Sequence, residues 1–165
     1  MARIDIPEGP GPDIYRVWSL RPEMAAGPAA MADTVYEKSQ LPARVREAAR
    51  MAVAVANQCQ VCLGWRDEAL VESGVDEALY RQVIDDELEH LSPAEELAVR
   101  YARLFATDHL AITDALMGEL RATLGDAGVL DLTICCANWV GLGRLNQVLG
   151  LDTGCAVPHA ALAHH

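Results

Sequence analysis

The sequence predicts an all-α fold, and three observations carry that prediction. No stretch of the 165 residues sustains the period-two alternation of a half-buried strand. The composition is 52% hydrophobic but only 5% aromatic, so alanine, leucine and valine must fill the core. Small side chains of that kind let helices pack closely. Several segments also carry recognisable helix starts and stops. The length suits one domain with a sizeable core and is short for two.

Taken in order, the first element is an extended, proline-rich arm over residues 1–28. It holds five of the eight prolines and leaves room for a short helical turn around Ile14 to Leu20. A helical pattern starts at Ala29 and ends near Glu37, followed by the break "KSQLP". Pro42 suits a first helical turn, where its missing N–H costs nothing. The next segment places Val45, Ala48, Ala49, Ala52, Val53 and Ala56 on one stripe, with Arg44, Arg46 and Arg50 mostly off it. Asn57 ends that helix, and another is expected from the Cys59–Cys62 pair to Glu72. Gly74 then acts as a stop, and Asp76 as the N-cap of a short helix.

Ser92, Pro93 and Glu95 form a capping box that opens the helix after it. A further helix starts at Thr113 and stops at Gly125. The last runs through "DAGVLDLTICCANWVGLGRLNQVLG" and is apolar enough to expect burial on most sides. The resulting division is an arm (1–28), a single helical domain (29–158) and a tail (159–165). A faint internal repeat lays Glu47 over Asp131, and Cys59 and Cys62 over Gly143 and Asn146.

The charge balance is 13 basic to 24 acidic residues, net −11. Such a surface repels phosphate backbones and anionic lipid, which argues against nucleic-acid and membrane partners. The amino terminus has neither an apolar signal region nor a continuous apolar span, so a cytoplasmic location is expected. Thiols are reduced there, and five cysteines do not suggest a disulfide framework.

Attention therefore falls on "NQCQVCLGWRDEAL". Cysteines at i and i+3 lie on one side of a helix. The pair suits a redox couple, half of a zinc site, or two packed thiols. At a helix start, unpaired N–H groups and the macrodipole favour a thiolate at one of them by roughly 0.3–1 kcal/mol, or up to ~2 when partly buried. Since ~1.4 kcal/mol equals one pKa unit, that is about one unit of acidity. Arg66, four residues after Cys62, falls on the same helical face and can add a fixed charge. Glu47 lies twelve residues before Cys59, a span of ~18 Å of helix, so spacing alone does not bring it to the thiols. A zinc site would need two further ligands, and His90, His109, His159, His164 and His165 form no paired motif. Cys135 and Cys136 point to different faces of an apolar helix and read as core. Trp139 also reads as core, and Trp65 as a packing residue. Cys155 has no evident partner.

The stretch from "RPEMAAGPAAMADTVYEKSQ" through "NQCQVCLGWRDEALVESGVDEA", with "LSPAEELAVRYARLFA" and "LDLTICCANWVGLGRLNQVLGLD", resembles the carboxymuconolactone decarboxylase-like superfamily. The closer likeness is to its alkylhydroperoxidase D branch. The specific part is the pattern E-x11-C-x2-C-x3-H, matched by Glu47, Cys59 and Cys62, with Arg66 in place of the histidine. The resemblance implies a helical bundle with the CxxC at a helix N-terminus, no metal or organic cofactor, and assembly as a homotrimer or hexamer. It implies that Cys62 attacks a peroxide, that Cys59 resolves the sulfenic acid to a disulfide, and that a thioredoxin- or lipoyl-type dithiol reduces it. Glu47 would accept a proton in the relay. Arginine cannot pass protons near pH 7, so peroxidase turnover is expected to fall below that of the histidine-bearing pattern. Thiol–disulfide exchange is then the stronger activity. The alternatives are a cofactor-free lyase acting on a carboxylated lactone and a non-catalytic redox sensor.

Overall fold

The computed structural model describes residues 2–151. Cys155, His159, His164 and His165, the end of the expected domain and the tail lie outside them. The described residues are helical without a strand: α1 (Asp13–Arg16), α2 (Pro22–Glu37), α3 (Ala43–Asn57), α4 (Gln60–Gly64), α5 (Glu77–Ile84), α6 (Pro93–Thr107) and α7 (Asp114–Leu149), joined by short 3₁₀ turns. Among them, no helix is long and apolar enough to cross a membrane.

The core forms around α3, which packs against α5, α6 and α7. Its alanines explain the closeness: Ala48, Ala49 and Ala52 are fully buried, beside Met51 and Val53. Leu79 and Val83 of α5, Ala98 and Val99 of α6, and Leu120, Leu132 and Cys136 of α7 complete the core. Helix α6 opens as expected, with the Ser92 hydroxyl accepting from the Glu95 amide and the Glu95 carboxylate accepting from the Ser92 amide. Helix α7 is interrupted at Gly125, whose φ of 71° and ψ of 169° lie outside helical space, where the sequence places a stop.

Three elements differ from expectation. Helix α2 begins at Pro22 rather than Ala29 and runs through Pro28, taking in the last residues of the expected arm. Pro22 occupies the first turn, where it costs nothing, and Pro28 removes a single backbone bond from a helix held against α7. The helix expected from the CxxC to Glu72 is instead α4, a non-helical link, and a 3₁₀ helix (Glu68–Ser73). The Asp67 side chain accepts from the Ala69 amide and starts that second turn separately. The last part of α7 is not buried on most sides, because it leaves Leu130, Ile134, Leu145 and Val148 exposed.

Candidate functional site

Reversal of the chain at the end of α3 builds the site. Gln58 adopts a left-handed conformation (φ 54°), Cys59 is extended, and α4 starts at Gln60. This turn is anchored from α7 through Asn57. Its amide donates to the Trp139 carbonyl at 3.2 Å, its side-chain oxygen accepts from Arg144 at 3.3 Å, and its backbone carbonyl accepts from Gln147. Gly143 leaves room for this clamp: a Cβ there would lie 2.6 Å from the Asn57 amide nitrogen. Of the second-half positions that the faint repeat lays over the thiols, Gly143 is buried against this turn and Asn146 is buried in α7.

Cys59 is completely buried and caps α4, its sulfur accepting from the Cys62 amide at 3.3 Å. Cys62 is half-buried, so of the two it is the one a solute can reach. The sulfurs are 2.6 Å apart, against about 2.05 Å in a formed disulfide. The pair can close with little movement.

Behind the thiols lies a buried charge cluster. Glu47 is 0% exposed and Arg50 3%, although neither belongs to the apolar stripe that the sequence marks on α3. Arg50 Nε donates to Glu47 Oε2 at 2.7 Å, and the Tyr80 hydroxyl donates to the same oxygen at 3.3 Å. Glu47 Oε1 lies 3.9 Å from Arg46 Nε and accepts no hydrogen bond among the described residues. Arg50 also reaches the thiol segment, donating to the Cys62 carbonyl at 2.8 Å and the Trp65 carbonyl at 3.3 Å. Its guanidinium sits 4.8 Å from the Trp65 ring. Burial is the largest influence and works against its charge, but Glu47 together with Tyr36 and Tyr80 outweighs it and keeps the group above its ordinary value. Glu47 is therefore joined to the Cys62 segment through Arg50, by a turn and refolding of the chain that a straight helical hairpin would not supply.

Arg66 is not on a helical face shared with Cys62, since α4 ends at Gly64. Its Nε donates to Glu77 Oε1 at 2.5 Å, and its guanidinium stacks 4.1 Å from the Tyr80 ring. It also donates to the carbonyls of Leu63 and Trp65. The Arg66 hydrogen bond is the largest influence holding the Glu77 carboxyl below its ordinary range.

Arg50, Tyr36 and Tyr80 escaped the sequence reading. The i, i+3 spacing of Glu47 and Arg50 is an ion-pair signal, but nothing local marks it as buried. Tyr36 accepts from the Trp139 indole at 3.2 Å and packs 5.2 Å from the Trp65 ring. Burial raises its phenol, and it raises that of Tyr80 to about 12, so both are protonated at neutral pH. Trp139 is core and Trp65 packs between Tyr36 and Arg50. Cys135 and Cys136 are also buried, which pushes the Cys135 thiol up to about 12 and Cys136 higher still. The described residues contain no group of three or more His, Cys, Asp or Glu side chains placed to hold a metal.

The sequence pattern of the carboxymuconolactone decarboxylase family matches residues 22–104, half of the chain. Among solved structures, the chain is similar to the alkylhydroperoxidase AhpD core of an uncharacterized peroxidase-related protein from Ralstonia eutropha JMP134. The TM-score is 0.76 at 19% identity, covering 91% of this chain and 90% of that one. At that identity the likeness shows a shared fold. No curated protein matches significantly.

Proposed function

The chain belongs to the carboxymuconolactone decarboxylase family, and within it we propose a thiol-dependent peroxidase or disulfide reductase that uses Cys62 and Cys59. The observation that carries this reading is the asymmetric thiol pair: sulfurs 2.6 Å apart, one buried and one within reach of solvent. The Cys62 thiolate attacks the terminal oxygen of a hydroperoxide, forming an S–O bond as the O–O bond breaks. The departing alkoxide takes up a proton and leaves as an alcohol. Cys59 then attacks the sulfenic sulfur, a disulfide forms, and water leaves. A dithiol of thioredoxin or lipoyl type returns two electrons and is itself oxidised. In the reductase variant, Cys62 attacks a disulfide sulfur instead and a thiolate departs.

We assign proton acceptance to Glu47 through Oε1, the oxygen not occupied by Arg50 or Tyr80. Arg66 acts at a distance, by bracing Tyr80 against Glu47. With no histidine at 66, we expect disulfide exchange to exceed peroxide turnover. Association into a homotrimer or hexamer would cover the apolar side chains that α7 leaves exposed.

Cys62→Ser should abolish dithiol-dependent peroxide consumption and disulfide reduction, and mild peroxide should convert the wild-type pair to a disulfide seen by intact mass after alkylation. Unchanged turnover in Cys62→Ser would reject the reading. Loss of a carboxylated lactone without peroxide consumption would favour a lyase.

A further inference from the structure

Two parts of the molecule that the sequence keeps apart meet at Arg50. On one side is the carboxylate of Glu47; on the other are the carbonyls that bracket the segment from Cys62 to Trp65. Three acceptors met by three separate nitrogens suit the planar fork of a guanidinium; an ammonium would have to bring all three to a single atom. The indole of Trp65 lies against one face of the cation, so the clamp holds the segment by packing as well as by hydrogen bonds.

The charges facing this segment come from several elements. Helix α3 supplies Arg46, Glu47 and Arg50, the link after α4 supplies Arg66, and α5 supplies Glu77 and Tyr80; Tyr36 comes from α2. Three guanidinium groups thus face two carboxylates, with both phenols neutral. The surplus is positive. Arg66, the residue the sequence pattern places in the histidine's position, is a quarter exposed and paired to a largely solvated Glu77, so solvent screens much of its charge. Arg50 is dry.

We propose that Arg50 is the positioning residue of the thiol pair, its guanidinium holding the Cys62–Trp65 segment in register with Cys59 and supplying the unscreened positive charge that favours the Cys62 thiolate. This rests on the assignment of Cys62 as the attacking thiol. Removing the charge lowers the thiolate fraction of Cys62. Loosening the clamp lowers the fraction of attacks that end in a Cys59–Cys62 disulfide.

The test needs neither peroxide nor a physiological reductant, so its outcome is separate from that of the turnover assays. The first readout is the pH profile of Cys62 alkylation by iodoacetamide, followed by peptide mass mapping. The second is incubation with oxidised glutathione. Cys62 displaces one glutathione thiolate and forms a mixed disulfide, and Cys59 displaces the other to close the pair. The yield of closed pair against glutathionyl-Cys62 measures the clamp.

The double variant Glu47→Gln/Arg50→Gln removes both charges of the pair together and keeps hydrogen-bonding groups. Its alkylation midpoint should move to higher pH, with a rate at pH 7 at least about threefold lower: loss of the opposite charge raises the thiol, and the simultaneous loss of Glu47, which bonds Arg50 rather than the Cys62 segment, offsets only part of that. Arg50→Lys should keep most of the profile but accumulate glutathionyl-Cys62. The proposal is overturned if the double variant's profile superimposes on wild type, or moves less than that of Arg66→Gln. If the double variant does not fold, Arg50→Lys decides the matter, and an unaltered ratio of closed pair to mixed disulfide rejects the clamp.

Discussion

Replacing Glu47 by alanine strands the Arg50 guanidinium in the core. The two side chains are 0% and 3% exposed, and their contact is 2.7 Å. Breaking a buried pair by deleting one partner costs about 3–5 kcal/mol, because the remaining charge keeps its desolvation penalty and loses its compensation. The Tyr80 hydroxyl loses its acceptor in the same step. For a domain whose total stability is of order 5–15 kcal/mol, that is a large fraction. Urea unfolding at pH 7, followed by far-UV circular dichroism, should show the midpoint falling with the slope unchanged. Deleting both partners is a different perturbation. In Glu47→Ala/Arg50→Met neither charge of the pair is left, and the double variant should be more stable than the sum of the two single losses requires, with a coupling of about 0.5–3 kcal/mol or more. A loss below about 1 kcal/mol in Glu47→Ala, or strict additivity in the double variant, would refute the claim that this ion pair is buried and mutually dependent.

Glu95 ties the start of α6 to Arg44 at 2.6 Å. Burial pushes its carboxyl up, but the Arg44 hydrogen bond and the Ser92 amide outweigh this and leave it below its ordinary range. A carboxyl depressed in the folded state stabilises above its unfolded value, about 4.3, and that contribution disappears as pH falls through the folded value. Glu95→Gln should therefore be less stable than wild type at pH 7, with the gap narrowing in acid melts below about pH 4.3. Gly143→Ala places a methyl group 2.6 Å from the Asn57 amide; thermal melts should show a loss of about 1–3 kcal/mol, typical of overpacking. Cys135 and Cys136, buried and with raised thiols, should resist iodoacetamide at pH 8 in the folded protein and label once urea is added. Fast native labelling of either would contradict their place in the core.

Much of the helix order is legible in the sequence because the signals are local. The Ser92–Glu95 box, the stop at Gly125, the Asp76 cap and the end of α3 at Asn57 each depend on the conformational preferences of a few neighbouring residues. Pro28 and Arg66 mark the limit of that reading. A proline penalty can be outweighed by packing against α7, and a helical face drawn through Gly64 has no meaning once the chain leaves the helix there.

The cysteine pair itself was recognisable as residue types at a spacing, since i and i+3 cysteines meet through backbone geometry alone. Its surroundings were not. Glu47 and Arg50 lie off the apolar stripe of α3, and only the reversal at Gln58, which lays α4 back along α3, with α5 packed alongside, takes water away from them. Burial depends on contacts between residues distant in sequence, so no local pattern reports it. The thiols belong to the sequence; the guanidinium bonded to their segment is placed by packing.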